Sequence, residues 1–208
     1  MKEKELERLK TMLQIENSLY KSGYNFICGV DEAGRGPLCG PVVAAAVILP
    51  KDECIEGVND SKKISEKKRE KLYDEILLKA IAVGVGISDV DIIEKVNILN
   101  ATKLAMKQAI ENLNITPDYV LIDGNQMIDI KIPANTVVSG DAKSESIAAA
   151  SIIAKVTRDR MLIKWDKDYP EYGFAKHKGY GTKRHIEAIE KYGLTKIHRP
   201  SFCKKIVQ

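Results

Sequence analysis

The chain has 208 residues, 44% of them hydrophobic and 30% charged. That length holds one domain with at most a small appendage, and the balance is that of a soluble globular chain, not a disordered or fibrous one. The formal charge is +4, but from Lys155 to Gln208 fourteen basic side chains stand against six acidic ones and the rest is net acidic, a distribution that suits either a polyanion-facing end or ordinary solvated helix faces.

Residues 3 to 20 read as a charged amphipathic helix with Leu6, Leu9, Leu13 and Leu19 on one stripe, ended by Ser22-Gly23. Phe26 to Val30 is a short apolar strand that runs into two acids, Asp31 and Glu32. Val42 to Leu49, between two prolines, is a continuous apolar strand buried on both faces. Ser65 opens a helix with an inward stripe of Leu72, Ile76 and Leu77. Ala80 to Ile87 is a strand with Gly84 and Gly86 on one face. Asn97 to Leu113 is a helix turning Leu104, Ala105, Ala109 and Ile110 inward. Tyr119 to Ile122 and Thr136 to Ser139 are further strands, each followed by an acid, Asp123 and Asp141. Glu145 to about Trp165 is a long helix with a buried first half, and Thr182 to Tyr192 is the last helix. Five strands that come early and then alternate with helices predict an α/β fold, a mixed five-stranded sheet flanked by helices.

Cys28, Cys39, Cys54 and Cys203 form no C-x-x-C pair, and the charged start is unlike a secretory leader. The expectation is a cytoplasmic protein with reduced cysteines in its core and no membrane span. His177, His185 and His198 have no cysteine partners at zinc-ligand spacing.

Asp31, Glu32, Asp123 and Asp141 all sit at strand ends. Carboxylates on the ends of neighbouring strands can converge on one point, where mutual repulsion makes them poor neighbours without a cation. Oxygen-only ligands suit Mg²⁺ or Mn²⁺, and such ions promote phosphodiester hydrolysis. Each acid taken singly reads more readily as a turn or helix-cap residue. Asp31 and Glu32 reach one site only if the strand ends before Glu32, because adjacent strand residues point to opposite faces. Gly34-Arg35-Gly36-Pro37-Leu38-Cys39-Gly40 is not a dinucleotide loop: the third glycine of G-x-G-x-x-G is missing, and no helix follows. It still lets a backbone approach a sugar or phosphate. The run from His177 to His185 sets Tyr180 between glycines and among Lys178, Lys183 and Arg184, which suits either a groove for a nucleic-acid backbone or a solvated loop. Lys62, in Asp60-Ser61-Lys62-Lys63, has the same two readings.

Several long motifs then stand in order. They are Phe26 to Pro37 running into Gly40 to Leu49, Asn59 to Lys62, Asn100 to Met106, Ile122 to Gly124, Gly140-Asp141, Ile147 to Asp159, His177 to Thr182, and His198-Arg199. Together, from about residue 24 to 202, they resemble the bacterial ribonuclease HII family. The resemblance implies a ribonuclease H-like fold and hydrolysis of the RNA strand in RNA–DNA hybrids, with incision 5′ of single ribonucleotides embedded in duplex DNA. It puts the family's four metal-binding acids on Asp31, Glu32, Asp123 and Asp141, its glycine loop on Gly34, Arg35 and Gly36, and its junction-sensing tyrosine on Tyr180. Lys62, Lys178, Lys183 and Arg184 are inferred from charge and position as phosphate contacts. The expected organisation is a helical extension over 1–23 and a catalytic domain over 24–208, acting as a monomer. The sister ribonuclease HIII family is disfavoured, since its glycine loop lacks Gly-Arg-Gly and it usually has an N-terminal substrate-binding domain. A hybrid-binding module without chemistry and a DNA-cutting enzyme of the same fold are the rival readings.

Overall fold

The computed structural model describes residues 3–51 and 53–207. Five strands, β1 (Ile27–Ala33), β2 (Val42–Ile48), β3 (Ala82–Ser88), β4 (Tyr119–Asp123) and β5 (Ala134–Val137), form one sheet in the order β3-β2-β1-β4-β5. β1 to β3 pair antiparallel as a meander, while β4 and β5 run parallel to β1. β2 is buried along its whole length, as its unbroken apolar sequence requires of a strand covered on both faces.

The covers are two long helices, α4 (Val90–Glu111) and α5 (Glu145–Asp168). Ala148, Ala149, Ala150, Ile152, Ile153 and Ala154 of α5 pack on Ala45 and Val47, with Leu72 and Ile76 of α3 (Glu66–Lys79) closing that side. On the other face Ala105, Met106 and Ala109 of α4 pack on Val30, Ala44, Ala46 and Ile122. Small residues let both helices lie close to the sheet. A Cβ on Gly86 would stand 2.0 Å from the Ala105 carbonyl oxygen, and one on Gly29 would stand 2.1 Å from the Ser146 backbone.

Beyond α5, the short helices α6 (Phe174–His177), α7 (Lys183–Tyr192) and α8 (Pro200–Cys203) build a third cluster around Leu162, Tyr172, Phe174, Ile189 and Cys203. The N-terminal segment is two helices, α1 (Glu3–Met12) and α2 (Gln14–Lys21), instead of one. Leu9 and Met12 are buried, and Leu6 is turned outward. Buried Glu16 on α2 accepts hydrogen bonds from the Ser144 and Ser146 hydroxyls at 2.6 and 2.9 Å. This puts a carboxylate at the N-terminus of α5, where the helix dipole favours one.

Several expectations shift. β1 continues through Asp31 and Glu32 to Ala33, because its pairing with β2 persists as far as Ala33 opposite Val43. α4 begins at Val90, capped by Asp89, and the anticipated start at Asn97 is a kink with φ 67° where the Asn97 side chain caps the Asn100 amide. Leu77 and Leu104 point outward, since each helix buries only the stripe that meets the sheet or its neighbour. No helix among the described residues is long and apolar enough to cross a membrane.

Gly86→Ala is expected to cost about 3 kcal/mol of stability by overpacking against the α4 backbone, measured by denaturant unfolding. A variant as stable as the parent would contradict the close helix–sheet approach.

Candidate active site

The register explains why acids on two strands meet. The parallel pairing of β1 with β4 ends with Val30 beside Ile122, and the next step along the ladder brings Asp31 beside Asp123. Asp31 shares the α5 face with Gly29, and Glu32 shares the α4 face with Val30. β4 stops at Asp123, so the carboxylates gather around its end although β1 continues. The condition set by the sequence, that β1 must end first, is therefore not needed.

Asp141 arrives from a separate element, the 3₁₀ turn Gly140–Ala142 that follows β5. The turn is tied to β4 by the Gly140 N–H, which donates to Asp123 Oδ1 at 2.7 Å. Asp60, which precedes the 3₁₀ turn Ser61–Lys63, reaches Asp141 as well.

The electrostatics are those of crowded carboxylates. Asp31 is 6% exposed, and burial, then Glu32 and Asp123, push its carboxyl well above the usual range, although the Glu32 N–H donates to it at 2.6 Å. Glu32 is raised by burial against the pull of Arg35, which lies 3.4 Å away. Asp141 is raised by burial, then by Asp60 and Asp123. Asp31, Asp123 and Asp141 form no ion pair among the described residues. The nearby cation is Lys62. Partial burial works against its charge, but Asp31, Asp60, Asp141 and Asp123 together raise its pKa. An oxygen-only donor set with this much uncompensated charge fits a hard divalent cation.

The glycine loop lies next to the acids. Gly34 has φ +100°, and a Cβ there would meet the Arg158 side chain at 2.1 Å, so only glycine fits. Beneath the loop, fully buried Arg199 donates to the carbonyls of Gly34, Arg35, Pro37 and Gly40 at 2.6–3.1 Å. Burial, then Arg158, pulls its pKa down to about 10. The Tyr180 ring is 47% exposed and lies beside Gly36, 3.8 Å from where a Cβ would stand. The loop and the tyrosine thus form one surface.

The basic residues separate. Lys183 is exposed and 3.8 Å from Glu187, and Arg184 is exposed over Gly173. Lys178 differs from its expected role as a free phosphate contact: it is buried, and its ammonium bonds the Ala175 carbonyl and Glu66. Its left-handed φ of 51° turns the chain toward Tyr180.

Behind Tyr180 stand the three histidines. The Thr195 N–H donates to His198 Nδ1, so His198 carries its proton on Nε2 and donates to His185 Nε2 at 3.0 Å. His185 Nδ1–H then donates to the Tyr180 carbonyl at 2.9 Å. His177 accepts from the Gly179 N–H on Nδ1 and donates from Nε2 to the Tyr172 carbonyl. Burial lowers all three, His185 and His198 to about 4. Cys39 lies within 4.8 Å of His185 and His198, a grouping that could hold a metal and that sequence spacing did not reveal. Its thiol is pushed up to about 12 by burial, and the neutral relay accounts for both imidazoles.

A family model described as ribonuclease HII matches residues 28–205. The chain belongs to the ribonuclease HII family. It is 62% identical over 205 residues to ribonuclease HII of Acetivibrio thermocellus, covering 99% of this chain and 80% of that one. It is 57% identical over 204 residues to ribonuclease HII of Clostridioides difficile, covering 98% of this chain and 80% of that one. The crystal structure of ribonuclease H2 from Pyrococcus horikoshii OT3 superposes with a TM-score of 0.74 at 31% identity, over 86% of this chain and 96% of that one. Membership makes the chain a ribonuclease H-type endonuclease, dependent on divalent metal, with the ribonuclease H-like fold.

Two measurements check the site. In EDTA, Asp31→Asn is expected to be more stable than the parent by on the order of 1 kcal/mol, because it removes a buried like charge and keeps the oxygen that accepts the Glu32 N–H. A loss of stability would argue against repulsion. In ¹⁵N spectra at pH 6 the His185 and His198 imidazoles should be neutral, with the proton on Nδ1 of His185 and on Nε2 of His198. A charged ring at that pH, or loss of the His198 Nε2 proton on adding Zn²⁺, would contradict the relay.

Proposed function

We propose that the chain hydrolyses the RNA strand of RNA–DNA hybrids and incises duplex DNA 5′ of a single embedded ribonucleotide, leaving a 3′-hydroxyl and a 5′-phosphate. The observation that carries this reading is the convergence of Asp31, Glu32, Asp123 and Asp141 at one sheet end, where burial and then the acidic neighbours raise the Asp31 carboxyl. These four carboxylates would hold Mg²⁺ or Mn²⁺. Bound there, such ions supply a nucleophilic water near neutral pH and offset charge at the scissile phosphate.

The chain's own residues do the positioning. The Gly140 N–H holds one oxygen of Asp123, which leaves the other for a cation. The amides of Arg35 and Gly36 donate to no protein acceptor among the described residues, which leaves them for a ribose 2′-hydroxyl or a phosphate. Tyr180, beside Gly36, offers a flat face to the adjoining sugar. Lys62, Lys183 and Arg184 are available for sequence-independent phosphate contacts, and Lys178 contributes through its backbone. We assign 24–208 to one catalytic unit preceded by a helical extension over 1–23. The proposed agent is a monomer working in the cytoplasm.

A single-ribonucleotide duplex, an RNA–DNA hybrid and an all-DNA duplex, each offered with Mg²⁺, Mn²⁺ or EDTA, test the reading. Metal-dependent incision of the first two is expected. Cutting of all-DNA, or full activity in EDTA, would overturn it. Asp123→Asn retains the oxygen bonded to Gly140 and should lower cleavage by on the order of 10³-fold with binding largely intact; an active variant would remove Asp123 from the centre. Tyr180→Ala should weaken incision at the lone ribonucleotide more than hybrid cleavage, and an equal loss on both would count against junction sensing.

A further inference from the structure

The glycine loop and the Tyr180 turn are far apart in the chain, and two sets of hydrogen bonds join them among the described residues. One is the Leu38 N–H, which donates to the Gly179 carbonyl at 2.9 Å. The other is Arg158, a guanidinium 1% exposed on the inner side of α5. Its Nε donates to the Pro41 carbonyl at 3.0 Å, and its Nη2 to the Cys39 carbonyl at 2.9 Å. Its Nη1 donates to the Lys178 carbonyl at 2.9 Å. It has no carboxylate partner in an ion pair among the described residues; Asp159, next in the chain, pairs with Lys155.

A buried cation without an acidic partner is expensive unless backbone dipoles surround it. Here the surrounding dipoles belong to both loops at once, so each loop is held at a distance set by one planar group. Glycines permit the contact. Gly34 lies directly on the guanidinium, and a Cβ on Gly179 would stand 2.8 Å from Cys39 Sγ and 3.5 Å from Arg158 Nη2. Lysine cannot take this place in full, because its ammonium is a point donor on a flexible stem and has no rigid fork to span three carbonyls.

We propose that Arg158 is a positioning residue for substrate selection: it sets the spacing between the Gly34-Arg35-Gly36 loop and Tyr180, and so the ability to read a ribose followed by a deoxyribose. The inference rests on the proposed reading of those two elements as the junction sensor. Arg158 donates only to backbone carbonyls and to none of the four acids. Its loss therefore shows as altered preference between substrates, with metal-dependent chemistry retained on the substrate that needs no junction.

The test compares kcat/KM on a single-ribonucleotide duplex and on an RNA–DNA hybrid for the parent, Arg158→Lys, Gly179→Ala and Tyr180→Ala. Folding is verified by near-UV circular dichroism. Gly179→Ala displaces the Tyr180 turn and leaves the guanidinium in place, so it decides the matter should Arg158→Lys not fold. The expected result is a loss on the single-ribonucleotide duplex at least ten-fold greater than on the hybrid, carried mainly by KM, in both spacing variants. Equal losses on the two substrates, or no loss, overturn the inference. If Tyr180→Ala is selective and the spacing variants are not, the spacing role alone fails. If Tyr180→Ala is itself unselective, the junction reading beneath it fails too.

Discussion

Like charges held together at the end of a sheet are the constraint from which the rest of this structure follows. Asp31 and Asp123 are brought side by side by the parallel register of β1 and β4, and Glu32 is added because β1 outruns β4. Asp141 is added because the Gly140 turn is hooked onto Asp123. Each placement costs stability in the protein by itself, as the raised carboxyls of Asp31, Glu32 and Asp141 record. The surroundings must therefore be rigid enough to withstand it. Small residues supply that rigidity, letting α4 and α5 lie on the sheet at backbone distance.

The glycine loop beside the acids meets a different difficulty by similar means. A loop built of Gly34, Arg35 and Gly36 has few side chains with which to pack, and left alone it would be mobile. Arg199 and Arg158 solve this from below by accepting burial in return for seven carbonyls as partners, those of residues 34, 35, 37, 39, 40, 41 and 178. With the carbonyls drawn inward, the Arg35 and Gly36 amides are left without a protein acceptor among the described residues. The histidine relay does the same for the neighbouring turn, holding the Tyr180 carbonyl through two uncharged rings. On the proposed reading, chemistry and selection thus rest on separate supports: carboxylates at the strand ends, and buried cations and imidazoles under the loops.

Much of this was legible in the sequence. The four acids stood out because each follows an apolar strand, and β2 stood out because nothing polar interrupts it. Leu77 and Leu104 were misplaced because helical periodicity identifies an apolar stripe but not its full width. The length of β1 was underestimated because a charged pair reads as a strand end, whereas pairing with β2 continues past it. Asp60 carried no local mark of its role, since its approach to Asp141 depends on tertiary placement. The same holds for Arg158 and Arg199, whose partners lie more than a hundred residues away in most cases. Nor does chain spacing disclose that Cys39, His185 and His198 meet.

The central claim is that the crowded acids form one cation centre. Titration with Mn²⁺, followed by the electron paramagnetic resonance signal of the free ion, tests it most directly when the parent is compared with Asp31→Asn and Asp123→Asn. The account predicts that the parent depletes free Mn²⁺ and that both variants bind it markedly more weakly. Unchanged binding in either variant would contradict the claim.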